Sequence, residues 1–470
     1  MDGAASHADY ADARFVDSIA ERIATRNGRV EEVARSRSAG VGVRVRLGGA
    51  WGFAATRDGD RRSVERALDR ALELARAQPA APDARLVPEP PARGSFESPT
   101  GIDPFAVPVA DKLDVLAAAD DAMRGDPRLK VTSAHFLAFR DERLFASTEG
   151  ALCEQRTSQC GGGIVAVASD DLESQIRSYP ASFRGDVAQS GYEHFAGLDL
   201  AGNAPRVAEE AVRLLDAPSC PAERTTLILD GEQLALQLHE SVGHAVELDR
   251  VLGSETSYAG GSFLSPADLD SLRYGSPLMN VTADATLDGG LGTFAWDDEG
   301  VPGRCVPIVR EGMLRGFLSS RESAGTIGLD RSHGCMRADG FARQPLVRMT
   351  NVNLEPGDAG SLDELIAATE RGVYMETNRS WSIDSRRLHF QFATELAYEI
   401  VDGRRGRLLK NPTYAGVTPR FWASLDAVCS AGEWRLWPIL NCGKGEPGQT
   451  ARVSHGTAPA RFRDVQVGIA

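Results

Sequence analysis

The sequence predicts an α+β protein with two domains: a mixed α/β domain over residues 1–220 and a β-rich domain over residues 221–470. A chain of 470 residues is too long for one ordinary hydrophobic core. Amphipathic helical segments and strand-like runs alternate in the first part, whereas strand patterns dominate the second. Between them the segment APSCPAER, residues 217–224, contains two prolines that end a helix. We therefore place the boundary near residue 220.

The first part reads as a sheet with helices packed on it. Helical periodicity predicts helices over residues 14–26, 63–77, 108–124 and 205–217. Strand-like runs occupy residues 29–57 and 130–169. Residues 78–99 are rich in proline and predict a long surface connection.

The strand pattern of the second part is clearest in residues 387–402, RLHFQFATELAYEIVD. Apolar Leu388, Phe390 and Phe392 alternate with polar residues, which is the pattern of a half-buried strand. The following DGRRG predicts a turn. Short helices are predicted over residues 361–372 and 418–429.

Charge and cysteine content narrow the function classes. A net charge of -14 argues against a nucleic acid or an anionic membrane as the main partner. No run of about 18 apolar residues predicts a transmembrane helix, and the first residues do not have the pattern of a secretory signal. The seven cysteines are widely spaced and odd in number, which does not suggest a disulfide framework. We expect a cytoplasmic protein.

The segment LQLHESVGHAVELD, residues 236–249, combines two histidines with carboxylates. Asp230 is expected to cap its helix, and a stripe with a period of four is expected to be buried: Leu234, Leu238, Val242 and Val246. At 3.6 residues per turn, residues five apart project about 140° apart, so a straight helix cannot easily aim His239 and His244 at one ion. Either the helix is distorted near Gly243, or it ends there, or the histidines share no metal.

Other residues extend this possible site. Glu240 follows His239, which is where zinc peptidases place a general base. Candidates for a third ligand are Glu247, Asp249 and Cys442, the last in a glycine-rich segment predicted as a loop. Asp297 could reach a metal or form a turn, and Arg379 and Trp381 are candidates for lining a substrate channel. Spacing alone does not decide among these alternatives.

The segment HESVGH resembles the His-Glu-x-x-x-His signature of the TldD/PmbA family of metallopeptidases. The resemblance continues over most of residues 227–468, through YAGGSFLS, FAWDDEGVPGR, MRADGFARQPLVRMTNVNLEPG, NRSWSIDSRRLHFQFATELAYEIVDGRRGRLLKNPTYAG and NCGKGEPGQTARVSHGTAPARFRDVQVG. It implies that residues 221–470 are a β-rich zinc peptidase domain preceded by an α/β domain.

The resemblance also implies site residues, a cofactor and partners. His239, His244 and Cys442 would bind Zn²⁺, and Glu240 would be the general base. Family members form homodimers or heterodimers with a paralogue and act on short or unfolded peptides, and some are labelled modulators of DNA gyrase. The net charge of -14 gives no support to direct binding of DNA or of a membrane by this chain.

Two other functions are compatible with this resemblance. The chain could be a non-catalytic or partner-dependent subunit of a TldD/PmbA-type complex, or a specialised hydrolase that tailors a peptide natural product. His455 lies in a block of the resemblance close behind Cys442, and the sequence leaves its role open.

Overall fold

The protein was analysed as a computed structural model that describes residues 8–80, 85–257 and 260–468. Residues 1–7, on which the expectation of no secretory signal rests, lie outside these ranges, as do residues 81–84 of the proline-rich connection. Within the described ranges, no helix combines the length and hydropathy needed to cross a membrane.

The first part of the chain forms one eight-stranded sheet. Its strands are β1 (Tyr10–Arg26), β2 (Arg29–Leu47), β3 (Ala50–Thr56), β4 (Arg93–Glu97), β5 (Leu129–Ser147), β6 (Leu152–Ser169), β7 (Ser174–Tyr179) and β8 (Asp186–Ala188). The order is β3-β2-β1-β5-β6-β4, and β7 and β8 also pair with β6. Most neighbouring strands pair in the antiparallel direction, and the long strands β1, β5 and β6 lie next to one another in the sheet.

Four helices within the described ranges pack on this sheet, and the sequence predicts most of them. They are α1 (Arg61–Ala77), α2 (Val109–Met123), α3 (Tyr192–Gly197) and α4 (Leu200–Asp216). Leu116 of α2 and Val207 of α4 pack against Phe136 of β5 in one buried cluster, which is the expected result of amphipathic helices on a sheet. The helices predicted over residues 63–77, 108–124 and 205–217 are thereby confirmed, within a few residues at their ends.

The helix predicted over residues 14–26 is wrong, because this segment is part of strand β1. Phe15, Ile19 and Ile23 are four residues apart, a spacing that fits one face of a helix but also one face of a strand. Strand β1 is hydrogen-bonded along most of its length to both β2 and β5. These non-local bonds decide the conformation where the local pattern is ambiguous.

The second part of the chain contains fifteen strands within the described ranges. They are β9 (Glu223–Leu229), β10 (Val281–Asp284), β11 (Cys305–Arg310), β12 (Met313–Leu314), β13 (Met336–Arg337), β14 (Leu346–Val347), β15 (Asn351–Leu354), β16 (Arg371–Ile383), β17 (His389–Val401), β18 (Arg404–Leu409), β19 (Thr413–Val417), β20 (Leu425–Val428), β21 (Arg435–Lys444), β22 (Gln449–Thr457) and β23 (Ala460–Val467). The strand predicted over residues 387–402 is confirmed as β17.

These strands build a closed barrel and smaller sheets around it. In the largest sheet β16, β9, β23, β19 and β17 follow one another, and β17 pairs back with β16. Strands β12-β11-β10-β15 form a second sheet, while β13-β14 and β21-β22 are two-stranded. The short helices are α5 (Gly231–Leu238), α6 (Leu248–Val251), α7 (Arg321–Thr326), α8 (Leu362–Ala367) and α9 (Thr418–Ala423), with a 3-10 turn at Pro266–Asp268.

The fold class is therefore α+β, as predicted. All strands of the eight-stranded sheet precede residue 189, and all other strands follow residue 222. The division into residues 1–220 and 221–470 stays a prediction, which this separation of the strands supports.

Candidate metal centre

The two histidines of HESVGH meet because the helix changes type between them. Helix α5 follows strand β9, and Asp230 caps it by accepting a hydrogen bond from the Gln233 amide at 2.8 Å, as expected. It then continues as a π-helical turn over His239–Gly243, in which the His244 amide donates to the His239 carbonyl at 3.0 Å. This i→i+5 bond places residue 244 over residue 239, and the two rings lie 4.7 Å apart between centroids. The predicted departure from regular α-helix is confirmed.

Side chains take the hydrogen bonds that the π-turn removes from the backbone ladder. The Ser241 hydroxyl donates to the Gln237 carbonyl at 2.5 Å, and the Tyr274 hydroxyl donates to the Ser241 carbonyl at 2.6 Å. The Trp422 indole in turn donates to the Ser241 hydroxyl at 2.9 Å. Because buried carbonyls without partners are costly, these three side chains stabilise a turn that an isolated helix would not adopt. The apolar stripe of the same segment is fully buried, as predicted.

Gly243 contributes through packing. A Cβ atom at this position would lie 2.2 Å from the Met349 sulfur, and both residues are buried. We expect Gly243→Ala to destabilise the protein by about 1–3 kcal/mol, the usual cost of overpacking a core, seen as a lower midpoint of urea unfolding. Gly197→Ala is the matched control, because a Cβ at this helical glycine meets no atom within 4 Å. Equal midpoints for the two variants would contradict this packing argument.

Three potential ligands converge at the turn. His239, His244 and Cys442 each offer one ligand atom, and these atoms lie within 4.8 Å of one another, all buried. The Cys442 sulfur is 3.7 Å from Nε2 of His244. Tetrahedral zinc with its usual bond lengths of about 2.0 and 2.3 Å holds nitrogen and sulfur ligands about 3.5 Å apart. Two imidazoles and one thiolate thus fit zinc both in chemistry and in spacing.

A chain of hydrogen bonds fixes the tautomer of His239. Nδ1 of His455 lies 2.8 Å from the Val352 carbonyl, so this nitrogen carries a proton and donates it. Burial and the neighbouring His239 keep the pKa of His455 well below its ordinary value, so its Nε2 is unprotonated. That Nε2 lies 2.7 Å from Nδ1 of His239, which therefore donates. The lone pair of His239 is left on Nε2, the arrangement that metal-binding histidines require.

Glu247 fixes the tautomer of His244. Its Oε2 accepts from Nδ1 of His244 at 3.0 Å, which leaves Nε2 of His244 toward Cys442. Lys444 lies 3.3 Å from the same oxygen and 2.8 Å from Asp249. Burial alone would raise the pKa of Glu247, but the charge of Lys444, the hydrogen bond from His244 and the charge of Arg250 hold it well below its usual range. The carboxylate is thus ionised and able to accept this bond.

The electrostatics of the ligands suit a cation. Burial lowers the pKa of His239 to about 4 and also lowers that of His244, so both rings are neutral near pH 7. Burial raises the pKa of the Cys442 thiol, but nearby His244 and Arg348 outweigh this and lower it overall. The permanently charged Arg348 contributes to this lowering whatever the protonation state of His244, and a lowered pKa favours the thiolate that metals bind.

Glu240 lies beside these residues and is held by an arginine that the sequence reasoning missed. Arg387 Nη1 is 2.5 Å from Oε2 of Glu240. Residue 387 has a left-handed backbone, with φ of 64°, at the turn before β17. No local pattern predicts this contact, because the two residues lie 147 positions apart. Oε1 of Glu240 has no hydrogen-bond partner within the described ranges.

A cavity of about 380 Å³ opens onto these residues, and we call it the site cavity. It is lined by His239, Glu240, His244, Arg387 and Cys442, together with apolar side chains that include Trp381, Trp437 and Ile439. This size is typical of a ligand pocket. The suggestion that Trp381 lines such a channel agrees with this lining, whereas Arg379 lies on an adjoining cavity.

Other candidates are placed differently from the expectation. Cys442 lies in strand β21 beside a register shift, and not in a loop, because residues 435–444 pair with β22. Asp249 binds Lys444 and Glu247 binds His244, so neither stands among the three convergent ligands. Asp297 accepts hydrogen bonds from the backbone amides of Glu299, Val301 and Met336, which is the turn alternative for this residue.

Models of known protein families match nearly the whole chain. The PmbA/TldA metallopeptidase C-terminal domain matches residues 206–469, domain 1 matches residues 11–75, and the central domain matches residues 102–217.

Curated relatives agree with this family. A metalloprotease of Methanothermobacter thermautotrophicus is 30% identical over 98% of this chain and 95% of its own length. A metalloprotease of Methanocaldococcus jannaschii is 29% identical over 95% and 94%. A zinc metalloprotease TldD homolog of Saccharolobus solfataricus is 26% identical over 64% of this chain and 66% of its own length.

Solved structures share the fold. A Thermotoga maritima protein described as a proposed modulator of a DNA gyrase superposes with a TM-score of 0.77 at 17% identity, over 98% of this chain and 96% of that one. TldE from Thermococcus kodakarensis gives 0.73 at 16% identity, over 100% and 98%. With the match of the C-terminal family model over more than half of the residues, these findings show that the chain belongs to the TldD/PmbA family of metallopeptidases.

Proposed function

We propose that this protein is a zinc-dependent peptidase that hydrolyses unstructured peptides, with His239, His244 and Cys442 as zinc ligands and Glu240 as general base. The observation that carries the proposal is the convergence of two imidazoles and a thiol within 4.8 Å beside a carboxylate that lines a cavity. The name of the Saccharolobus solfataricus relative, a zinc metalloprotease, supports zinc as the ion.

The residues divide the chemistry between them. Zinc, when bound, supplies a Lewis acid that makes a water acidic and polarises a peptide carbonyl. Arg387 holds Oε2 of Glu240, so the carboxylate is oriented and Oε1 is left to take a proton from the attacking water. The same carboxylic acid then returns the proton to the leaving amine nitrogen. His455 and Glu247 keep the two ligand rings turned so that each Nε2 faces the ion.

The shape of the cavity supports an unstructured substrate. About 380 Å³ accommodates a few residues of an extended chain, and the ligand residues at its wall are buried. A folded domain could not bring a peptide bond to them. We therefore propose short or unfolded peptides, or peptide precursors, as substrates. We also propose a cytoplasmic location, because the seven widely spaced cysteines do not suggest a disulfide framework.

The partner is proposed on the same footing. We propose a dimer, either of two copies of this chain or with a paralogue, as the resemblance to the TldD/PmbA family implies. A purified chain that binds zinc but cleaves only after a paralogue is added would favour the partner-dependent subunit over a self-sufficient enzyme.

Metal removal tests the proposal directly. We expect a fluorogenic, unstructured peptide to be cleaved by the zinc-loaded protein, cleavage to stop after dialysis against a chelator, and activity to return with one equivalent of Zn²⁺ per chain. The reason is that a zinc ion held by the three ligands would be the group that acidifies the attacking water. Cleavage that persists in chelator, with metal content measured at zero, would contradict the proposal. A folded protein as substrate is the control and should remain intact.

A further inference from the structure

A second cavity, of about 300 Å³, lies between the eight-stranded sheet and the second part of the chain. We call it the arginine pocket, because six arginines line it: Arg22, Arg37, Arg143, Arg337, Arg348 and Arg452. Three of them have carboxylate partners that share the cavity or adjoin it. Arg143 pairs with Asp298 at 2.9 Å, Arg452 with Asp141 at 2.6 Å, and Arg37 with Asp17 at 2.5 Å.

Arg337 and Arg348 differ from these, because their hydrogen bonds go to backbone carbonyls. Arg337 donates to the carbonyls of Met349, at 2.6 Å, and Arg452, at 3.3 Å. Arg348 donates to the carbonyls of Cys442 and Gln449. Neither guanidinium forms a salt bridge within the described ranges, and Nε of each is buried there without a hydrogen-bond partner.

Two neighbouring guanidinium groups without a carboxylate partner are costly in a protein interior, where charges are normally paired. Arg348 is 1% exposed, while Arg337 retains some exposure to the cavity. Burial and the positive charges of Arg348 and Arg143 lower the pKa of Arg337 to about 10. An anion in the pocket would remove this penalty and provide an acceptor for bidentate hydrogen bonds.

Within the described ranges, no acidic residue of the pocket forms a salt bridge with Arg337 or Arg348. Asp298 is already shared between Arg14 and Arg143. Burial, and after it the nearby Glu299, raises the pKa of Asp297 well above its usual value, and its two oxygens already accept hydrogen bonds from three backbone amides. Asp339 lies at the cavity wall, where its carboxylate accepts from the Thr450 amide and approaches Arg343 at 3.9 Å.

A third cavity, of about 830 Å³, shares lining residues with both the arginine pocket and the site cavity. It shares Arg22, Phe139 and Arg452 with the arginine pocket, and Phe183, Asn378 and Asn441 with the site cavity. The hairpin of β21 and β22 bridges the two ends: Cys442 on β21 lines the site cavity, and its neighbour Ala451 on β22 lines the arginine pocket. One extended peptide could therefore occupy both.

We propose that the arginine pocket binds a carboxylate of the peptide whose backbone lies in the site cavity, with Arg337 and Arg348 as its donors. The inference rests on the proposed function for the identity of the ligand, since a peptidase brings peptides to this groove. A carboxylate fits because it is planar and accepts two parallel hydrogen bonds from a guanidinium. Its source is the C-terminus of the peptide or an acidic side chain near it, and the two sources are separable by experiment.

Peptide binding to the full-length Glu240→Gln chain tests the inference without cleavage. Fluorescence anisotropy is measured at fixed ionic strength with three labelled peptides of one sequence: with a free C-terminus, with an amidated C-terminus, and amidated with one glutamate near the end. We expect amidation to weaken binding about 10-fold or more. Recovery with the glutamate peptide identifies the side chain as a sufficient source, and no recovery identifies the terminal carboxylate.

Variants then assign the effect to the pocket. Arg337→Gln should abolish the difference between the acid and the amide, and Arg337→Lys should keep part of it, because the charge remains. Arg407→Gln, an exposed arginine paired with Glu399, is the control and should keep the full difference. Equal binding of all three peptides to the parent chain overturns the inference, and so does a preference for the carboxylate peptides that survives in folded Arg337→Gln. The comparison of peptides needs no change in the pocket, so it holds even if that variant does not fold. Failure of the zinc-loaded protein to cleave would refute the proposed function and leave these binding results unaffected.

Discussion

Glu240→Gln is expected to reduce peptide cleavage by about 100- to 10,000-fold while the protein still binds one zinc ion per chain. That range is the usual contribution of a positioned general base. Glutamine has nearly the shape of glutamate but cannot accept a proton. The proton acceptor that this substitution removes is Oε1, the oxygen that has no hydrogen-bond partner within the described ranges.

The measurement must separate a lost base from a lost site. Metal content after dialysis, determined by mass spectrometry, should equal that of the parent protein, because His239, His244 and Cys442 are unchanged. The initial rate of peptide hydrolysis should fall mainly through kcat, since the substituted group acts in the chemical step. Glu399→Gln, an exposed glutamate paired with Arg407, is the matched control and should cleave at the parent rate.

Two results would count against this role of Glu240. A variant that retains zinc and cleaves at the parent rate removes the residue from the mechanism. A variant that loses zinc together with activity shows that the ion pair with Arg387 supports the ligand residues, and Glu240 would then be a structural group.

The sequence predicted the parts of this molecule whose signals are local. The capped start of α5 at Asp230, its buried stripe and strand β17 follow from residue spacing within one segment. Helix geometry further required that the chain leave α-helical form between His239 and His244 if both rings are to face one ion, and the π-turn does so. The nature of the turn could not be predicted, because Tyr274 and Trp422, which hold it, are distant in sequence.

Long-range contacts set the remaining features, which residue spacing alone could not predict. Strand β1 has a residue spacing that also fits a helix, and pairing with β2 and β5 decides between them. Arg387 reaches Glu240 across 147 positions of the chain, and Cys442 reaches His244 across 198. A site assembled from a helix, a strand and a turn is visible only after the barrel brings them together.

The second prediction concerns zinc affinity, which we expect to fall by different amounts when a ligand residue and its hydrogen-bond partner are replaced. Cys442→Ala should weaken zinc binding by more than about 100-fold, because it removes one of three protein ligands and leaves two neutral imidazoles. His455→Phe should weaken it by about 10- to 100-fold, the usual cost of losing a partner that orients a ligand histidine. Competition with a chromogenic chelator of known affinity measures both on the same scale.

The His455 variants distinguish orientation from bulk. Phenylalanine fills the space but cannot accept the proton on Nδ1 of His239, so the tautomer that presents Nε2 is no longer fixed. His455→Gln retains an acceptor oxygen and should recover much of the affinity. Equal losses for the two substitutions would indicate that His455 only supports packing. If Cys442→Ala bound zinc as tightly as the parent chain, the cluster would not be the metal site, and the short distance between Cys442 and His244 would be a feature of the buried core alone.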